Sequence, residues 1–286
     1  MEITEQIRAL IRMALDEDLG EGGDVTSRAT LPPDKLIHGR IRAKADGVIA
    51  GLPLVREVYR MLDPVVAVVE QVQDSDHVGS GTVICEVGGP AVSVLTGERT
   101  AINFLQQLSG IATLTAQYVA EVSGTRAVIL DTRKTTPGHR MLEKYAVKMG
   151  GGQNHRIGLY DGVLIKDNHI DAAGGITNAV RMARAADYTR DLPLVVEVKD
   201  EAELREALAL KPTRILVDNH TIDQLRRAVE IAAGNVPLEA SGNVRLDNIR
   251  AVAETGVDYI SVGALTHSAS ALDLSMRLYE PVREVE

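Results

Sequence analysis

The chain has no tryptophan, one phenylalanine and one cysteine among its 286 residues, and aromatic side chains make up only 3% of it. So small an aromatic stock argues against the base-stacking platforms that bind single-stranded nucleic acid, and it leaves the core to aliphatic side chains. The lone thiol, Cys85 in TVICEV, excludes a disulfide within the chain and fits a reducing, cytoplasmic setting. Its apolar neighbours read as the surroundings of a buried structural cysteine. Positive charge is also scarce: 31 Lys and Arg against 40 Asp and Glu leave a net charge of −9. Such a surface repels phosphate backbones, so nucleic acid is not an expected partner. No apolar run approaches the roughly 18 residues of a membrane span. The opening MEITEQIRALIRMALDEDLG is an amphipathic helix charged throughout, not a signal peptide.

What is present divides into two textures. In residues 1–18, Ile7, Leu10, Ile11, Ala14 and Leu15 recur at helical spacing. A strand is expected over 37–50, then a helix starting near Pro53 and running through LVREVYRML. Two β-rich runs follow, VVAVVEQV and TVICEV, split by the turn DSDHVGSG. A short strand AVSVL then precedes a helical region over 96–122, broken near Ser109-Gly110. Residues 1–105 therefore read as an α/β domain.

The second texture spans 106–269. Apolar runs end at Asp131, Lys166, Glu197, Asp218, Ser241 and Gly263, with helical segments over 139–149, 174–186, 201–210, 222–233, 245–255 and 270–280. Strand–helix alternation with continuous apolar strands means a parallel sheet covered by helices. Six such units favour a β/α barrel, complete or open, over a doubly wound sheet. No G-x-G-x-x-G follows the first strand, which speaks against a dinucleotide site. In either fold the carboxyl edge of the strands holds the active site, and the polar strand ends converge there.

Three constellations sit on that edge. Between Asp131 and Lys166 there are seven Lys/Arg against three acids, a surplus of four positive charges in an acidic protein. Arg140, Lys144 and Lys148 fall at helical spacing and read as a solvated helix face. Arg133, Lys134, His155, Arg156 and Lys166 lie on loops or strand ends, where they suit a ligand with two or more carboxylates or phosphates. Glu197 and Asp218 end consecutive strands. They could hold Mg²⁺ or ribose hydroxyls, stabilise a cationic transition state, or pair with Lys166 or Arg156. EASGNV, leading into a helix at Arg245, and SVGALTHSA, leading into one near Ala269, resemble phosphate-binding turns before helix N-termini. The repeated D-N-H at 167–169 and 218–220 reads as turn chemistry rather than metal ligation. No HExxH or Cys/His cluster supports zinc.

The motifs DTRKTTPG, EKYAV, GGGQNHRIGLYDGVLIKDNH, LVDN, LEASGN and DYISVGALTHSA resemble the quinolinate phosphoribosyltransferase family, as do LDEDLGEGGDVTS and GERTAINFLQQLSGIAT. The likeness spans nearly the whole chain. It implies an open β/α barrel of six or seven parallel strands with an N-terminal α/β sandwich domain that the C-terminal helix, 270–286, rejoins. It implies phosphoribosyl transfer from phosphoribosyl pyrophosphate to quinolinate with decarboxylation, aided by Mg²⁺, and a cytoplasmic homodimer. On this likeness Thr132, Arg133, His155, Arg156 and Lys166 line the quinolinate pocket, and Lys134 lies between the substrates. Arg99 reaches into the partner subunit's site. Glu197 and Asp218 face ribose and metal. Ser241, Gly242 and Asn243, with Val262, Gly263 and Ala264, cradle the 5′-phosphate, and His267 reaches toward it. One departure is Val195, where the family often carries an acid. Two readings stay open beside this one: a relative acting on nicotinate or another aromatic acid, and a non-catalytic barrel that binds a phosphorylated metabolite.

Overall fold

A computed structural model describes residues 1–280. Among these, twelve strands follow in chain order: β1 (Leu36–Ala43), β2 (Gly47–Val48), β3 (Ala67–Glu70), β4 (His77–Val78), β5 (Val83–Pro90), β6 (Val128–Leu130), β7 (Val163–Ile165), β8 (Leu194–Val198), β9 (Arg214–Asp218), β10 (Leu238–Ser241), β11 (Tyr259–Ser261) and β12 (Leu274–Tyr279). The chain forms two compact units. The first comprises Met1–Leu114, Lys148–Gly150 and the chain from Ala269; the second comprises Thr115–Val147 and Gly151–Ser268. The division thus falls nine residues beyond the boundary expected at 105.

The first unit is built on an antiparallel sheet of order β12-β1-β5-β3. Its helix Glu5–Leu19 is capped by Thr4 and buries Ile7, Ile11 and Leu15 of the stripe expected from spacing, while Leu10 and Ala14 are half-buried. Helix Leu52–Leu62 buries Leu54, Val55, Val58 and Tyr59, and the Tyr59 hydroxyl donates to the Val94 carbonyl at 3.1 Å. Cys85 is fully buried on β5, and desolvation pushes its thiol up to about 12.

Three expectations fail in this unit. AVSVL is not a strand: it opens a single helix, Ala91–Glu121, which continues through Ser109-Gly110 without a break. Gly110 is there for closeness rather than flexibility. A Cβ at that position would lie 2.1 Å from the Ser270 carbonyl oxygen. The C-terminal segment is not a helix at 274–279 but strand β12, antiparallel to β1 with Leu274 opposite Ala43 and Tyr279 opposite His38. In LSMRLY, Leu274, Met276 and Leu278 alternate at period two, which suits a strand. Pairing also satisfies β1's free edge, whose backbone groups would otherwise stand open. Residues 281–286 of that expected helix lie outside the described residues.

The second unit holds six parallel strands in the order β6-β11-β10-β9-β8-β7. All six apolar runs became strands, because strands covered on both faces are apolar throughout. The terminal strands β6 and β7 are not paired with each other, so the sheet is open. Side chains at the carboxyl ends of all six nonetheless line one cavity, which requires the sheet to curl. No helix of the described residues is long and apolar enough to cross a membrane.

Candidate active site

That cavity has a volume of about 720 Å³. Strand alternation explains which residues reach it. Leu216 with Asp218, and Glu239 with Ser241, lie two apart on their strands and all line it, as does Ser261 at the end of β11.

The first cationic loop leaves β6 at Leu130. Asp131 does not join the cavity edge as expected; it is fully buried beneath it. Thr132 Oγ1 accepts the Lys134 N–H at 3.0 Å, and the Thr266 hydroxyl donates to the Lys134 carbonyl at 2.7 Å. Thr132, Arg133 and Lys134 all line the cavity. The helix Arg140–Met149 behind this loop corrects a further expectation, since only Lys148 of its three cations stands exposed. Arg140 donates to Thr135 Oγ1 at 3.0 Å, to the Ile157 carbonyl at 3.2 Å and to the Arg133 carbonyl at 3.3 Å. Lys144 is fully buried and ion-paired with Asp131, and it donates to the His155 carbonyl at 3.1 Å. Helical spacing alone shows that these residues share a face; it does not show what the face meets.

The second cationic loop is held by the same acid. The His155 N–H donates to Asp131 Oδ1 at 2.9 Å. The Asn154 amide, oriented to satisfy its hydrogen bonds, donates to Asp131 Oδ2 at 2.7 Å. Asp161 closes the next turn by accepting the Ile157 and Gly158 N–H groups at 2.7 and 2.8 Å. His155 and Arg156 line the cavity. Burial, then the neighbouring Arg133 charge, pulls the Arg156 guanidinium below its ordinary value. The Nε atoms of Arg133 and Arg156 are both buried without a hydrogen-bond partner. Buried donors of this strength are costly to leave unpaired.

On the same cavity, Lys166 Nζ lies 3.1 Å from Glu197 Oε2, an ion pair foreseen for these strand ends. Asp218 Oδ2 accepts the Asn219 side-chain amide at 2.7 Å. The D-N-H segments serve local turns: His169 Nδ1 accepts the Lys166 N–H at 3.1 Å, and His220 Nδ1 lies 2.9 Å from the Asp218 carbonyl. Among the described residues no group of three or more His, Cys, Asp or Glu could hold a metal.

The turns after β10 and β11 also line the cavity, through Ser241, Gly242, Asn243, Val262, Gly263, Ala264 and His267. Their helices differ from expectation. The first begins at Ile249, not Arg245, and the second is the four-residue Ala264–His267 rather than a helix near Ala269. The tight approach comes instead from left-handed backbone, with φ of 89° at Gly242 and 54° at Asn243. A Cβ at Gly242 would stand 2.2 Å from Asn219 Oδ1, so only glycine fits. Asn219 Oδ1 also accepts the Asn243 amide at 3.1 Å. Arg99 is exposed on helix Ala91–Glu121 in the first unit. Val195 is buried on β8, two residues down the strand from Glu197.

Sequence reasoning missed Asn219, Leu164, Leu216, Val244, Ser261 and Glu239 as cavity residues. Glu239 had a signal, a lone charge in the apolar run PLEA at the spacing that shares a face with Ser241.

Residues 24–109 match the family described as quinolinate phosphoribosyl transferase, N-terminal domain, and residues 111–277 match its C-terminal domain. The chain is 44% identical to the probable nicotinate-nucleotide pyrophosphorylase (carboxylating) of Bacillus subtilis strain 168, over 95% of this chain and 93% of that one. It is 42% identical to the chloroplastic nicotinate-nucleotide pyrophosphorylase (carboxylating) of Oryza sativa subsp. japonica, over 96% and 78%. The crystal structure of NadC from Streptococcus pyogenes superposes with a TM-score of 0.92 at 39% identity, covering 98% of this chain and 99% of that one.

Proposed function

The chain belongs to the quinolinate phosphoribosyltransferase family, and from this premise we infer its reaction: transfer of a phosphoribosyl group from phosphoribosyl pyrophosphate to quinolinate with decarboxylation, giving nicotinate mononucleotide, pyrophosphate and CO₂ in NAD biosynthesis. The observation that carries the substrate assignment is that Arg133 and Arg156 both line the one cavity. Two guanidinium groups in one cavity suit two carboxylates. With Thr132, His155 and Lys166 on the same cavity, they hold the pyridine dicarboxylate, and Lys134 lies between it and the second substrate.

Glu197 and Asp218 face the ribose. As the bond from C1 to pyrophosphate breaks, their charges stabilise the positive charge that develops at C1. The pyridine nitrogen attacks C1 and becomes cationic. The electron pair of the adjacent C–CO₂⁻ bond then stays on the ring beside that cation, CO₂ leaves, and a proton takes its place. The loops at Ser241–Asn243 and Val262–Ala264, with His267, receive the 5′-phosphate.

In this reading Glu197 and Asp218 would hold Mg²⁺ together with the pyrophosphate. Two carboxylates, one paired with Lys166 and one with Asn219, suit an ion that keeps most of its shell as water and substrate phosphate. Bound there, it would supply positive charge to neutralise the pyrophosphate. Val195 supplies no further carboxylate on this face. A reducing cytoplasm suits the single thiol.

The purified protein, incubated with phosphoribosyl pyrophosphate, Mg²⁺ and either quinolinate, nicotinate or nicotinamide, is expected to form nicotinate mononucleotide and stoichiometric CO₂ from quinolinate alone. Product from nicotinate without CO₂ would refute the dicarboxylate pocket, and no product from any of them would favour a non-catalytic barrel that binds a phosphorylated metabolite.

The working unit proposed is a homodimer in which Arg99 completes the partner's site. Mixing inactive Arg99→Ala with inactive Lys166→Ala subunits is then expected to restore part of the activity after subunit exchange. No recovery despite exchange shown by mass spectrometry would refute a shared site.

A further inference from the structure

One buried charge in the second unit has no part in this reaction scheme. Glu239 is fully buried on β10. Neither of its carboxylate oxygens has a well-directed hydrogen bond. Oε2 lies instead 3.0 Å from Arg214 Nε and 3.6 Å from His155 Nε2. Arg214 Cζ in turn stands 4.5 Å over the Tyr259 ring. Because Arg214 opens β9 and Asp218 ends it at the cavity, the column Tyr259–Arg214–Glu239–His155 runs from the amino end of the barrel to the cavity wall. The ion pair with Arg214 makes it a carboxylate; burial raises its carboxyl, and His155, Arg214 and Ser261 pull it below its ordinary value.

The other end of the column fixes the imidazole. His155 Nδ1 accepts the Arg156 N–H at 2.7 Å. That bond needs Nδ1 unprotonated, so the neutral ring carries its proton on Nε2, facing Glu239. A buried ion pair such as Glu239–Arg214 is a poor source of stability, so a role in orientation suits it better.

We propose that Glu239, clamped by Arg214, is a positioning residue that sets the tautomer and orientation of His155, and through its Nδ1 the backbone that aims Arg156 at the bound dicarboxylate. The last clause rests on the quinolinate reading; the tautomer does not.

Two variants test it. Glu239→Gln removes a negative charge near a cationic pocket with little change of shape. A bystander charge would then have been weakening anion binding, and the quinolinate KM would fall. A positioning role gives the opposite sign: KM rises about ten-fold while kcat stays within about three-fold. Glu239→Leu/Arg214→Met removes both charges together, leaving no lone buried ion. In protein carrying ¹⁵N-labelled histidine, His155 is identified among the seven histidines by the signal lost in His155→Asn. The wild type is expected to show an Nε2-protonated ring and the double variant to lose that single tautomer. A lowered or unchanged KM in Glu239→Gln, or an unaltered His155 tautomer in the double variant, overturns the proposal. Failure of the wild type to turn over quinolinate would sink the functional reading instead, and the tautomer measurement would still decide the role of Glu239.

Discussion

Arg133→Ala is expected to raise the quinolinate KM about a hundred-fold or to remove measurable turnover, on the order of 3 kcal/mol for a charge-assisted contact to a carboxylate. The fold should survive, because the side chain has no structural partner at Nε and the loop is held through the Arg133 carbonyl, which accepts from Arg140 at 3.3 Å. Arg133→Lys keeps the charge but loses the fork, and an intermediate KM is expected. Steady-state kinetics with each substrate varied in turn, beside a thermal melt, separates these effects. A near-normal KM in Arg133→Ala would remove Arg133 from the dicarboxylate pocket. A collapsed melting curve would make it a structural residue.

Lys144→Met is expected to cost about 3–5 kcal/mol of stability, because it strands a carboxylate in the interior. Burial already drives Asp131 above its ordinary value, against the pull of Lys144, and drives Lys144 below its own, against the pull of Asp131. Without the ammonium, Asp131 rises further. The sign of the pH dependence follows. Between the unfolded and the raised folded value the folded state holds the extra proton, so stability falls as pH rises through that window. The deficit relative to wild type is therefore small near the ordinary carboxyl value, grows with pH and levels off above the folded one. Denaturant unfolding across that range measures it. Asp131→Asn/Lys144→Met removes both charges and should recover much of the loss. A pH-independent deficit, or no recovery, would show that the pair does not act through charge. Activity should fall further than stability accounts for, since Asp131 and Lys144 anchor the His155 backbone.

These two expectations differ in how they could be found. Arg133 was legible from the sequence: adjacent cations flanked by hydroxyls just past an apolar strand are unsuited to a core, and they line the cavity. Lys144 was not. Its spacing placed it on a helix with Arg140 and Lys148, and a solvated face was the ordinary expectation. The acid that buries it, Asp131, lies thirteen residues earlier, across a loop. The same distinction separates β12 from the helix expected there. Six residues carry too little periodicity to choose, and the choice was made by the open edge of β1, more than two hundred residues away.

The sequence by itself determined what depends on each segment's own pattern. Continuous apolar runs ending in polar residues specified six parallel strands and put their ends on one edge. Loop cations unsuited to a core pointed to that edge, where they line the cavity, and the long motifs carried the family. The tertiary structure alone decided which buried groups meet. It set Asp131 on Lys144, ran helix Ala91–Glu121 through Gly110 to meet Ser270, and joined Glu239 to Arg214 and His155. Those contacts join residues far apart in the chain. Their energies come from desolvation and charge in a shared interior, which no local pattern encodes.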